Sequence, residues 1–179
     1  FSEMLKPGSE DQKSEEVSEQ LSQALEDLKN NKATSIAIAC NTLHGFIDDS
    51  ARPKGFLSLI EETEKYVLKR GFSEVLVLGT TTSRLSNKVH AFGAARWPAL
   101  GLQVRVDKVI NELLAGKVNE KIRGELAEIV SLYLNDNPST DAVILGCTEL
   151  SVLMDGVCAR SLFGKEVIDP VEIIAKKLC

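Results

Sequence analysis

Short apolar runs that stop abruptly at small polar residues, each leading into a stretch with helical periodicity, recur along this 179-residue chain. Ile36–Ala39, Glu74–Leu78, Val143–Leu145 and Glu166–Ile168 are the runs in question. They are too short for helices and apolar at successive rather than alternate positions, the pattern of strands buried on both faces. Such strands, alternating with helices, predict an α/β fold of parallel sheets flanked by helices and joined by right-handed crossovers.

The intervening segments supply the helices. Ser14, Glu15 and Glu16 ahead of Val17, Leu21, Ala24 and Leu28 give a capping residue, acids in a first turn and apolar positions at helical spacing. A break at Pro53 and Gly55 precedes a second helix with Phe56, Leu59, Ile60, Thr63 and Val67 on one face, closing at Gly71. Gly79–Ser83 reads as a turn, and a helix is expected around Leu85–Phe92. Gln103–Val106 is expected as a further short strand. Leu113, Leu114, Ile122, Leu126, Ile129, Val130 and Tyr133 mark more helix before a break at Asn135–Ser139, and a terminal helix is expected from Pro170.

Two of the runs end on a cysteine, in Ala39-Cys40-Asn41-Thr42 and Gly146-Cys147-Thr148-Glu149. The carboxyl end of a parallel strand is where open α/β sheets bind ligands. The spacing between these motifs is far longer than a solenoid repeat, so the chain is expected to hold two pseudo-symmetric half-domains with a cleft between them. The expected division is 1–72 and 73–169, with 170–179 a terminal helix packing back on the first half. Because no strand precedes the first helix, the first half-domain is expected to lack an amino-terminal βα unit.

A thiolate is a competent base, and unpaired N–H groups at a helix start lower the pKa of a nearby thiol. Two thiols on opposite sides of one substrate suit a racemase, since inversion at carbon needs proton removal from one face and delivery to the other. Backbone N–H groups beside Asn41, Thr42, Thr148 and Glu149, with the hydroxyls of the Thr80 turn, are placed to hold a carboxylate. No metal or organic cofactor is obligatory for that chemistry. Cys158 and Cys179 are expected to be packing residues, and the four cysteines form no CxxC pair.

A net charge of −5 with no dense Lys/Arg stripe argues against a nucleic-acid partner. No apolar run approaches the roughly 20 residues of a membrane span, and residues 1–19 lack the pattern of a secretion signal, so a cytoplasmic setting is expected.

Ala39-Cys40-Asn41-Thr42-Leu43-His44 and Leu145-Gly146-Cys147-Thr148-Glu149-Leu150 resemble the paired cysteine motifs of the aspartate/glutamate racemase family. The similarity extends to Leu78-Gly79-Thr80 and Ile168-Asp169, in the order the family has them. The resemblance implies cofactor-independent racemisation of a small dicarboxylic amino acid by Cys40 and Cys147, in a homodimer. By motif, Asn41, Thr42 and Thr148 would contact substrate carboxylates, Thr80 would line the cleft, and Lys117 is a further candidate for the side-chain carboxylate. Glu149, where glutamate racemases usually carry His, resembles the aspartate branch, as does His44. The family's opening strand and glycine-rich loop have no counterpart here, its amino-terminal arginine has only Lys6 as a stand-in, and Ser83 stands where a second threonine is usual. Rival readings are a dicarboxylate cis-trans isomerase, a malonate decarboxylase, a small-acid binding module, and a zinc site from Cys40, His44 and Cys147.

Overall fold

The computed structural model describes residues 10–86, 92–154 and 163–178. In chain order the elements are α1 (Glu10–Asn30), β1 (Ile36–Ala37), β2 (Phe56–Leu57), α2 (Leu59–Arg70), β3 (Val75–Leu78), α3 (Thr81–Leu85), β4 (Ala95–Arg96), α4 (Leu100–Leu114), α5 (Glu120–Asp136), β5 (Ala142–Leu145), α6 (Glu149–Leu153), β6 (Glu166–Ile168) and α7 (Pro170–Leu178). Two 3-10 turns, Thr42–Phe46 and Asp49–Ala51, lie between β1 and β2.

All strand pairs are parallel. β1 pairs with β2 in a two-stranded sheet, and a four-stranded sheet runs β4-β3-β5-β6. β3 and β5 are buried at every position, as their unbroken apolar runs require. Alternation then sends their side chains to opposite faces. Leu76, Leu78, Val143 and Leu145 pack with residues of α4, α5 and α6, while Val75, Val77, Ala142 and Ile144 pack with Val67 of α2 and Ile173 of α7. The larger sheet is thus covered by helices on both sides, and α7 lies against α2.

Local chemistry sets the helix ends. Ser58 caps α2 by accepting from the Glu61 N–H, Glu61 and Glu62 sit in the first turn, Lys69 and Arg70 in the last, and Gly71 ends the helix at φ 69°.

Three expectations are corrected. Gln103–Val106 is not a strand but part of α4, whose buried residues Gln103, Val106, Val109, Ile110 and Leu113 recur at helical spacing. The valines at 104 and 106 favour strand locally, yet the helical stripe is what covers the sheet. The fourth strand is Ala95–Arg96 instead. Phe56 belongs to β2, ahead of the Ser58 cap, rather than to the helix. Around Leu85 the helix runs Thr81–Leu85, and residues 87–91 of the expected helix lie outside the described residues. So do Lys6, Cys158 and Cys179.

Candidate active site

The register of the larger sheet places the candidate residues. Leu78 is paired with Leu145, so the chain leaves both strands side by side at Gly79 and Gly146. A Cβ on Gly79 would lie 3.0 Å from the Gly146 carbonyl oxygen, and one on Gly146 would lie 2.8 Å from a Val77 methyl. Only glycine permits that approach. The next residues, Thr80 and Cys147, emerge at the same carboxyl edge.

Thr80 caps α3 by accepting from the Ser83 N–H at 3.1 Å. Its hydroxyl donates to Ser83 Oγ at 3.0 Å. Thr42, from the turn after β1, completes the group: its Oγ1 lies 2.9 Å from Ser83 Oγ and 3.5 Å from Thr80 Oγ1. These three buried hydroxyls tie the Cys40 loop to the edge where Cys147 sits. α4 braces the turn from its other side. Asp107 accepts from the Thr81 N–H at 2.8 Å and from its hydroxyl at 2.5 Å, and Gln103 Nε2 donates to the Gly79 carbonyl at 2.8 Å.

Cys147 is buried, and its Sγ–H donates to Glu149 Oε2 at 2.8 Å, an oxygen that also accepts from Thr148 Oγ1 at 3.3 Å. Burial pushes this thiol far above its ordinary value, and the Glu149 hydrogen bond and charge push it further, with a smaller contribution from Cys40. Cys40 is half-buried. Burial raises its thiol too, the Leu43 N–H draws it back, the Glu149 charge raises it, and the Thr42 N–H again lowers it. Cys40, Glu149 and Cys147 therefore share one electrostatic environment.

Thr42 and Thr80 meet through Ser83, Cys147 and Thr148 meet on Glu149, and the charge of Glu149 reaches Cys40. Asn41 is buried beside Cys40, at the head of the 3-10 turn. Lys117 is exposed in the turn after α4, where its N–H bonds the Glu112 carbonyl at 3.0 Å, and among the described residues no hydrogen bond or ion pair joins its ammonium to the other candidates. Arg52, the first arginine of the chain, is engaged by Asp49 and Glu61. The zinc reading fails on His44. Its Nδ1 is taken by the Cys40 carbonyl at 2.9 Å and its Nε2 by the Leu59 N–H at 3.3 Å, leaving no lone pair for a metal. Among the described residues no group of three His, Cys, Asp or Glu is arranged to hold a metal ion, and no helix is long and apolar enough to cross a membrane.

Gln103 and Asp107 are members of this arrangement that sequence reasoning missed. Gln103 and Asp107 stand four apart, on one face of a helix, a signal that exists only once α4 is read as helix.

The sequence matches the Asp/Glu/Hydantoin racemase family model over residues 2–178. Glutamate racemase of Bartonella tribocorum (strain CIP 105476 / IBS 506) is 28% identical over 158 residues, which are 79% of this chain and 54% of that protein. The chain thus spans about half the length of that curated relative. An aspartate racemase homologue from Pyrococcus horikoshii OT3 superposes with a TM-score of 0.72 at 28% identity, covering 90% of this chain and 72% of that one. Glutamate racemase from Francisella tularensis subsp. tularensis SCHU S4, in complex with D-glutamate, gives a TM-score of 0.67 at 19% identity, covering 97% of this chain and 65% of that one. Its likeness is one of fold: parallel sheets flanked by helices.

Proposed function

The chain belongs to the Asp/Glu/hydantoin racemase family, and from that membership we propose that it interconverts the enantiomers of an acidic amino acid, passing the α-proton between Cys40 and Cys147. Aspartate is the first substrate to test, because Glu149 follows Cys147-Thr148 as in the aspartate branch. Glutamate is the second, since the Bartonella relative is a glutamate racemase.

The observation that carries this reading is the hydroxyl cluster of Thr42, Thr80 and Ser83, which binds the Cys40 loop to the strand edge bearing Cys147. A substrate lodged there meets a sulfur from each side. Cys40, with the Leu43 and Thr42 N–H groups to support a thiolate, removes the α-proton. Cys147, whose proton rests against Glu149, delivers one to the opposite face. In the reverse direction Glu149 accepts the Cys147 proton and Cys147 becomes the base. The carbanion's charge spreads onto the α-carboxylate, for which the hydroxyl cluster, Asn41 and Thr148 are the proposed donors. Lys117 is proposed for the side-chain carboxylate on its motif position alone.

Two working thiols require a reducing surrounding, which fits a cytoplasmic setting. A homodimer and independence from cofactors complete the proposal. Purified protein, freed of metal and pyridoxal phosphate, is incubated with L- or D-aspartate and the enantiomers are separated by chiral chromatography. Racemisation is expected, and Cys40→Ala and Cys147→Ala each abolish it. Full activity in either variant removes the two-cysteine mechanism.

A further inference from the structure

His44 is 2% exposed, and the mechanism above does not use it. Its two nitrogens face groups of fixed polarity. The Leu59 N–H can only donate, so Nε2, 3.3 Å away, is the acceptor. The Cys40 carbonyl can only accept, so Nδ1, 2.9 Å away, carries the proton. One neutral tautomer satisfies both. The ring thereby links the loop after β1 to the first residue of α2, whose N–H is one of the orphan donors of a helix start. The tilted Phe56 ring, with its centroid 6.0 Å away, packs beside it.

Between Cys40 and His44 lie Asn41, Thr42 and Leu43, in a turn closed by the His44 N–H bond to the Asn41 carbonyl at 3.1 Å, and the N–H groups of Thr42 and Leu43 draw the Cys40 thiol downward against its burial. We propose that His44 is a positioning residue: through the Nδ1–H of its neutral imidazole it holds the Cys40 carbonyl, and so fixes the backbone of residues 40–44 that carries the Cys40 thiol and the Thr42 and Leu43 N–H groups beside it. Burial holds the imidazole below its ordinary pKa, against the bond to the Cys40 carbonyl, which raises it. The charged groups that face it, Arg52 and Glu61, are paired with one another and act in opposite directions. The significance for turnover rests on the racemase reading; the effect on the thiol does not.

Two variants separate the bonds. In His44→Asn the side-chain amide keeps a donor near the Nδ1 position, while in His44→Gln the amide oxygen keeps an acceptor near Nε2 and the bond to Cys40 is lost. Labelling of the Cys40 peptide by iodoacetamide, followed by mass spectrometry at pH 8, is expected to slow roughly tenfold in His44→Gln and to stay near the wild-type rate in His44→Asn. Racemisation of aspartate should fall alongside in His44→Gln, equally in kcat/KM for both directions, because the equilibrium constant is unity. Equal labelling rates in folded wild type and His44→Gln overturn the proposal, as does an Asn variant that loses as much as the Gln one. A measurement without variants stands beside these: 15N–1H correlation of the wild-type imidazole at pH 7 should give Nδ1 as the protonated nitrogen, and an Nε2–H tautomer or an imidazolium overturns the proposal. If the tautomer and labelling come out as expected while wild type racemises neither aspartate nor glutamate, the racemase reading fails and the positioning role stands.

Discussion

At the scale of single residues the two thiols are unlike each other. Cys147 is buried and holds its proton against Glu149, whereas Cys40 is half-buried and has two N–H groups to steady its anion. Iodoacetamide at pH 8 should therefore label Cys40 well before Cys147, read by peptide mapping; faster labelling of Cys147 would contradict the assigned environments. Glu149→Gln removes the charge that holds the Cys147 proton in place. Roughly tenfold faster labelling of Cys147 is expected in that variant at the same pH. Turnover should fall, because the neutral amide cannot accept the proton when Cys147 serves as base. Both cysteines were legible in the sequence, since each ends an apolar run. Asp107 was not, because its importance lies in what a distant segment brings to it, Thr81.

At the scale of elements, the glycine pair at the ends of β3 and β5 has a measurable cost. Gly146→Ala places a methyl 2.8 Å from Val77 and 3.0 Å from the Leu78 carbonyl oxygen, neither of which can move without disturbing a fully buried strand. Overpacking of this kind costs about 1–3 kcal/mol. A lowered melting temperature is expected together with lost activity; an unchanged melting temperature would mean that the strand ends are looser than described. β3 and β5 were readable because burial on both faces leaves an uninterrupted apolar run. β2 and β4 were not, as two residues carry no period. α4 was misread where valines stand at alternate positions: Val104 is 61% exposed, while Gln103 and Val106 face inward. Local propensity spoke for strand there, and the stripe that covers Leu76 and Leu78 decided otherwise.

At the scale of the whole molecule, the Cys40 loop is held by two sets of contacts, the hydroxyl cluster toward β3 and His44 toward α2. The second makes stability depend on pH. His44 is held below its ordinary value near 6.5, so the unfolded chain binds a proton that the folded one refuses. Its contribution is complete above about pH 6.5 and is lost as the pH falls below that toward its folded value. The Asp141 carboxylate, which accepts from the Ser73 and Glu74 N–H groups, is lowered by those bonds and adds a loss at more acidic pH. Melting temperatures recorded across this range should decline as pH drops, and His44→Asn should flatten the part of the decline nearest neutrality. An identical slope in that variant would show that His44 does not carry it. The α/β class followed from the alternation of runs and helices alone. The depth of the linkage between the segments could not, because hydrogen bonds such as Thr42 to Ser83 join positions 41 residues apart.

The central claim is that one sulfur takes the α-proton and a different one supplies its replacement. Its most direct test is the early time course of racemisation in D2O, with deuterium located by mass spectrometry in each separated enantiomer. Starting from L-aspartate, the D-aspartate formed first should carry deuterium at the α-carbon while the remaining L-aspartate stays unlabelled, and the mirror result should hold from D-aspartate. Equal labelling of substrate and product from the outset would place one group on both sides of the transfer and contradict the claim.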